Sequence, residues 1–412
     1  MLVDIDSVRV CTRYRHGVDS VPQPKEEYMN FTLTQHVKVL EKYGALQHIG
    51  ELMKDAGFHK AFLVCDEGIV KLGIADRIQH ILEKEGLGCV LYAEVQPDPP
   101  SEIIDDGAKI CRAERCDCVI AVGGGSSIDT AKGINILRFN EGKILDYADM
   151  SRSMIPSPGL IAVPTTSGTG SELSNGLIIS DIKNAVKVPI LAVAGMSEFA
   201  VLDASLTEGM PASLTMVTGL DVFSHACEAY MSVLSCVATD LVCEKIMEEV
   251  IECLPRAVKN GSDGEARRRM LSCASLGGWM LACASAHVGH SVAHVIGARY
   301  HIPHGKACAY SLPSTIRFVA EACPEKVRRV GRLLGVSFCG DESAEEAGLM
   351  TAKAYRSFCE GIGLTPLSLK RPDEEELQKL ADAVVHEPLA SLSPVPVTMD
   401  NVMPLLRDMF CM

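Results

Sequence analysis

Short apolar runs recur through the first half of the chain with helix-like stretches between them, and this alternation restricts the fold more than any other feature. Ala61-Phe-Leu-Val-Cys-Asp66, Cys89–Val95, Asp117–Val122 and Gly159–Pro164 read as strands. Residues 101–115 read as a helix, with Ser101 as its N-cap after Pro99-Pro100. Such alternation predicts an α/β domain built on a parallel sheet. After Met210-Pro211 the apolar segments become long and helically periodic, with few strand signals, so this half is expected to be all-helical. The expected division is an N-terminal extension (1–35), an α/β domain (36–208) and a helical domain (209–412). The extension is polar and turn-rich, as in Val21-Pro22-Gln23-Pro24, and suggests no role.

A length of 412 residues, 47% of them hydrophobic, suffices for two full-sized cores. The net charge of −14, with no long basic run, argues against nucleic acid and anionic membranes as partners. The 17 cysteines are an odd number, scattered singly in apolar contexts such as Cys65, Cys273 and Cys283, as in a reducing cytoplasm. Cys111, Cys116 and Cys118 form the only local cluster, and no second cysteine pair accompanies them. The opening Met-Leu-Val-Asp-Ile-Asp lacks the layout of a signal peptide, so a cytoplasmic protein is expected. The apolar stretch around 276–298 is long enough for a membrane span, but its histidines, glycines and serines favour a buried core helix.

Asp221-Val-Phe-Ser-His225 places a carboxylate and an imidazole one helical turn apart on one face. Alone, such a pair more often solvates a helix surface. However, His287, His290 and His294 lie in the apolar stretch Leu276–Ala298 at spacings of three and four, which puts them on one face of the expected helix. Buried histidines need partners. With His304 of Pro303-His304-Gly305, the residues Asp221, His225 and His290 form a set of three imidazoles and one carboxylate. That set suits Fe²⁺ or Zn²⁺ and leaves room for a substrate oxygen.

The strand ending at Val122 runs into Gly123-Gly124-Gly125-Ser126-Ser127-Ile128-Asp129-Thr130-Ala131-Lys132. Glycines admit a ligand close to the backbone, and a helix starting near Ser126 aims its free N–H groups at it, as a pyrophosphate cradle would. A tight turn without ligand is the plainer use. The usual Gly-x-Gly-x-x-Gly fingerprint is missing. Asp66 ends an earlier strand, where it could bind an adenosine ribose and repel a 2′-phosphate, or merely solvate a turn. Pro164-Thr165-Thr166-Ser167-Gly168-Thr169-Gly170-Ser171-Glu172 offers further hydroxyls and N–H groups after another strand.

In their order, these motifs resemble the iron-containing (group III) alcohol dehydrogenases over roughly residues 45–412. The motifs are Gly123–Asp129, Pro164–Thr169, Thr218–His225, His290–His294 and Pro303–Gly305. The resemblance implies the fold shared with dehydroquinate synthase: a nucleotide-binding α/β domain, a helical domain, and NAD(P) in the cleft between them. It implies Asp221, His225, His290 and His304 as metal ligands and His294 as a proton-relay histidine. It also implies cofactor contacts at Asp66, Gly123, Gly124, Gly125, Ser126, Ser127, Asp129, Thr165, Thr166, Thr169 and Lys187. The chain departs from the family in Trp279-Met-Leu-Ala-Cys-Ala-Ser-Ala-His287, where an Asn and small residues are usual, and in Pro97-Asp98-Pro99, where Pro-Asn-Pro is common.

The expected activity is reversible hydride transfer between NAD(H) and a small primary alcohol or aldehyde, with Fe²⁺, or alternatively Zn²⁺, as the metal. His287 and Arg299 are candidate contacts for an acidic tail on the substrate, a carboxylate or sulfonate; packing and a surface salt bridge are their plainer uses. A glycerol dehydrogenase-like polyol dehydrogenase and a dehydroquinate synthase-like lyase are the alternatives. The histidine of the Asp221/His225 pair argues against the first, and scarce basic residues near the ligands argue against the second. A homodimer or larger homo-oligomer is expected.

Overall fold

The computed structural model describes residues 33–410 apart from 150, 185 and 370; the Pro-rich part of the N-terminal extension and the leading Met-Leu-Val-Asp-Ile-Asp lie outside the described residues. Among the described residues, the first half carries eight strands. These are β1 (Lys38–Glu41), β2 (Lys60–Asp66), β3 (Gly88–Val95), β4 (Cys118–Gly123), β5 (Leu160–Pro164), β6 (Gly176–Asp181), β7 (Val186–Leu191) and β8 (Phe199–Leu202). Six form one parallel sheet in the order β1-β8-β5-β4-β2-β3. Between them run α1 (Ile49–Asp55), α2 (Glu67–Lys71), α3 (Ile74–Lys84), α4 (Ser101–Ala113) and α5 (Gly125–Phe139).

Helices cover both faces of this sheet, which is why its central strands read as unbroken apolar runs. Phe62 and Val64 pack with Ile104 and Ile128 on one side, while Leu63 and Cys65 pack with Ile49, Ile78 and Leu82 on the other. The chain runs from β2 outward to β3 and then crosses back to β4 on the far side of β2. The carboxyl ends of β2 and β4 therefore flank a reversal of strand order, where open α/β sheets leave a crevice for ligands.

The second half is helical: α6 (Ala212–Met231), α7 (Val237–Lys259), α8 (Gly264–Cys283), α9 (Val288–Tyr300), α10 (His304–Val319), α11 (Pro324–Leu333), α12 (Ala344–Gly361), α13 (Glu374–His386) and α14 (Met399–Phe410). Every residue of α6 from Gly219 to Met231 is buried. This helix lacks a polar face because it runs through the middle of the helical core.

The structure corrects three expectations. The stretch 276–298 is not one helix. It breaks after Cys283, with Ser285 in the left-handed region (φ 62°), and α9 leaves α8 at a bend of 109°. His287 is therefore the N-cap residue of α9, outside the helix, and not a member of the helical face shared by His290 and His294. Secondly, Pro100 is the N-cap of α4, and Ser101 is already inside the helix. Thirdly, four strands lay outside the sequence reading: β1, β8 and the antiparallel hairpin β6–β7. Among the described residues, no single helix is long and apolar enough to cross a membrane.

Candidate active site

Asp221 and His225 project from the same face of α6, His290 from the first turn of α9, and His304 from the first residue of α10. Gly305 makes the last approach possible, since a Cβ there would stand 2.2 Å from the Val217 carbonyl oxygen and 3.1 Å from Asp221 Cβ. The four ligand atoms lie within 4.8 Å of one another. Asp221 Oδ1 is the hub: the Nε2 atoms of His225, His290 and His304 stand 3.6, 3.8 and 3.6 Å away.

These separations are too long for hydrogen bonds. They resemble the roughly 3.4 Å between two donors each ~2.05 Å from one tetrahedral ion. Asp221 is 3% exposed, and its Oδ1 has no hydrogen-bond partner among the described residues. An orphaned buried carboxylate oxygen is costly unless a cation satisfies it. The donor set thus fits a divalent ion of the iron or zinc kind.

The electrostatics agree. Burial pushes the His225 imidazole down to about 4 despite the pull of Asp221, so it is neutral at pH 7 and can offer a lone pair. Burial also opposes ionisation of Asp221, but His225, His304 and His290 outweigh it and hold the carboxyl below its ordinary value. Glu228, one turn beyond His225, accepts a 2.6 Å hydrogen bond from His290 Nδ1, which leaves His290 Nε2 to face Asp221. Its other oxygen accepts from the backbone N–H groups of His287 and His290, at 3.0 and 3.1 Å, and so caps α9. Cys308, one turn after His304 on α10, places its buried Sγ 3.7 Å from His290 Nε2 and 3.6 Å from His304 Nε2.

His294 sits on the open side, stacked on His304 with ring centres 5.4 Å apart. Its Nδ1 is 2.8 Å from Glu387 Oε1, and Ser291 Oγ donates to the other oxygen of Glu387 at 2.7 Å. The side chains of His294 and His304 are 29% and 39% exposed, against 4% for His290 and Asp221. The cluster is therefore open to solvent on the side of His294 and His304.

The glycine loop lies at the carboxyl end of β4, with Gly123 at φ 144°. A Cβ on Gly123 would strike Ser127 Oγ at 2.3 Å and lie 3.8 Å from Asp66 Oδ2. Cβ atoms on Gly124 and Gly125 would press on Thr166 and Thr169. The two ligand-binding segments read from the sequence are thus neighbours, with Asp66 beside them at the strand-order reversal. The second segment continues to the helical half, where Gly168 abuts Thr218, one turn before Asp221. One loop therefore joins the glycine turn to the helix that carries Asp221 and His225. The side-chain-free loop and the amino end of α5 suit a dinucleotide pyrophosphate.

The remaining candidate residues have partners of their own. Asp129 is buried and accepts from Ile178 N at 2.9 Å, tying α5 to β6. Lys187 on β7 pairs with Asp98 at 2.6 Å. His287 is fully buried against Glu228, with neither ring nitrogen hydrogen-bonded among the described residues. Arg299 is 58% exposed and pairs with Glu376. Neither is brought to the open side of the cluster by its recorded partners. Glu228, Cys308 and Glu387 were missed. The first two carried a signal, since Glu228 is three residues after His225 and Cys308 four after His304, both on ligand-bearing faces. Glu387 is 93 residues from His294 and had none.

The site and the two-part fold define a nucleotide- and metal-dependent oxidoreductase architecture, and comparison with known proteins agrees. Residues 37–204 match the family described as iron-containing alcohol dehydrogenase, and 215–410 match the C-terminal region of the same family. The chain belongs to the iron-containing alcohol dehydrogenases. It is 34% identical over 365 residues to alcohol dehydrogenase 4 of Schizosaccharomyces pombe, covering 89% of this chain and 86% of the relative. It is 30% identical to the NAD-dependent methanol dehydrogenase of Bacillus methanolicus, covering 89% and 96%. The crystal structure of sulfoacetaldehyde reductase from Bifidobacterium kashiwanohense in complex with NAD⁺ superposes with a TM-score of 0.83 at 26% identity, covering 92% of this chain and 99% of that one. The protein is an NAD-dependent, iron-type alcohol dehydrogenase or aldehyde reductase.

Proposed function

We propose that this protein interconverts a small primary alcohol and its aldehyde, using Asp221, His225, His290 and His304 to hold the metal. Residues 36–208 would carry the cofactor and 209–412 the metal. The observation that carries this reading is the orphaned Asp221 Oδ1 ringed by three imidazole nitrogens, one loop away from a glycine cradle. A divalent ion supplies Lewis acidity towards a substrate oxygen, and NAD supplies the hydride chemistry. The chain's own residues do the rest. Glu228 holds His290 with Nε2 turned inward. Glu387 holds His294 by Nδ1, so Nε2 is the nitrogen free to take the alcohol proton and release it to solvent. Asp66, at the carboxyl end of β2 beside the glycine loop, would hold the adenosine ribose.

An acidic tail on the substrate is the second reading, favoured by the likeness to sulfoacetaldehyde reductase. Arg299 and His287 lend it little, since one is paired to Glu376 at the surface and the other is sealed in the core. The test is NADH oxidation by the Fe²⁺-loaded enzyme with neutral short aldehydes, and with sulfoacetaldehyde and succinic semialdehyde. Turnover of neutral aldehydes supports the main reading. A kcat/KM at least tenfold higher for the acids moves it to the second reading, and no turnover of either class overturns both.

Cofactor choice gives a separate expectation. Asp66 Oδ1 caps α2 by accepting from Ile69 N at 2.9 Å, which pins the carboxylate in place. Asp66→Ser keeps a capping oxygen and removes the charge. The kcat/KM ratio for NADH over NADPH should fall about tenfold or more, roughly 1.4 kcal/mol of lost discrimination. An unchanged ratio, or a native preference for NADPH, would show that Asp66 does not face the 2′ position.

A further inference from the structure

Lys187 and Asp98 form a 2.6 Å ion pair between the hairpin β6–β7 and the loop that follows β3. We propose that Asp98 sets the affinity for the dinucleotide by competing with it for the Lys187 ammonium. This rests on the cofactor-cleft reading above and adds to it a pair that tunes how tightly the cofactor is held.

The fold carries the placement. Asp98 comes three residues after Val95, the last residue of β3, and Val95 stands opposite Asp66 in the register of β2 and β3. The Asp98 loop therefore leaves the same carboxyl edge of the sheet as Asp66 and the glycine loop. The hairpin is tied to that edge at two points. Ser180 N donates to the Pro99 carbonyl at 2.8 Å, and Ile178 N donates to Asp129, one turn into the helix that the glycine loop opens. Lys187 is the β7 partner of Ser180. The two members of the pair differ in freedom. Asp98 lies between Pro97 and Pro99 at φ 50°, a left-handed backbone that aspartate and asparagine tolerate better than other side chains, and the Ser180 bond holds its loop. Lys187 carries its charge on a flexible four-carbon stem, 52% exposed, and can swing. A pyrophosphate at this edge meets two carboxylates, Asp66 and Asp98, and attracts the mobile cation away from Asp98. Binding then includes breaking the pair. An exposed ion pair is weak, so the competition amounts to about two- to fivefold in affinity.

The test is titration of NADH into the metal-loaded enzyme, followed by the fluorescence of the cofactor itself. Asp98→Asn keeps the left-handed backbone and removes the charge, and should lower the Kd for NADH about two- to fivefold. Lys187→Ala should raise it. In the Lys187→Ala background, Asp98→Asn should bring no gain, because no ammonium is left to release. An unchanged or higher Kd in Asp98→Asn overturns the competition, and so does an unchanged Kd in Lys187→Ala. An equal gain in both backgrounds also overturns it, since Asp98 would then merely repel the phosphates. All three results leave the cofactor cleft standing. Failure of the parent enzyme to bind NADH overturns the cleft reading and the proposal together.

Discussion

Asp221→Ala is expected to yield a folded protein that holds almost no metal and has lost at least about 10³-fold in kcat/KM, since Lewis-acid stabilisation is worth several kcal/mol and each 1.36 kcal/mol is tenfold in rate. Asp221 Oδ1 is the atom that all three histidine nitrogens face. Removing it takes away the one negative charge among the four ligands. The fold should survive, because Asp221 Oδ1 has no hydrogen-bond partner among the described residues, the carboxylate's contact with the Cys308 thiol is a weak one to lose, and alanine is at home in a buried helix. Thermal unfolding separates this from simple misfolding. Metal at about a thousand times its dissociation constant should stabilise the native protein by roughly 4 kcal/mol and the variant by almost nothing. Full metal occupancy in the variant by elemental analysis would refute the ligand assignment.

What could be read from the sequence was what is encoded locally. β2, β3, β4 and β5 showed themselves because strands buried on both faces are apolar throughout, as in Phe62-Leu63-Val64-Cys65. Asp221 and His225 showed themselves because one helical turn is a fixed spacing. β8 is only four residues long, and all four residues of the edge strand β1 are exposed, so neither carries a pattern. The break between α8 and α9 was hidden for a different reason. Its sequence is apolar on all sides and contains no proline, and what stabilises the new helix start is Glu228, 59 residues before His287. A cap supplied from another helix leaves no mark beside the residues it caps. The same holds for the meeting of the glycine loop with the hydroxyl-rich segment after Pro164, which depends on β4 and β5 being neighbours in the sheet.

That remote cap gives the second large effect. Glu228 is fully buried and serves three donors: His290 Nδ1 with one oxygen, and the backbone N–H groups of His287 and His290 with the other. Burial alone would raise its pKa, but His290 and the hydrogen bonds overcome this and hold the carboxyl at about 2, below its ordinary 4.5. A depressed carboxylate stabilises the fold above its unfolded pKa, and that contribution is lost as pH falls from about 4.5 towards 2. Glu228→Gln should therefore flatten the acid limb of stability in the metal-free protein. Its effect on the metal follows from the tautomer of His290. A glutamine has one acceptor oxygen, and the two backbone N–H groups compel it to face them. Its amide N–H₂ then donates to His290 Nδ1, so the ring proton moves to Nε2, the nitrogen that faces Asp221. His290 is thereby blocked as a ligand without being touched. Metal affinity should fall about 10- to 100-fold, the usual cost of losing a carboxylate partner behind a histidine ligand. Glu228→Leu should do worse, costing about 3 kcal/mol of stability by leaving buried N–H groups and an imidazole without an acceptor. Isothermal titration of metal into the Gln variant, with thermal unfolding from pH 3 to 7, reads both effects. Native affinity in Glu228→Gln would mean that His290 is oriented by something other than Glu228.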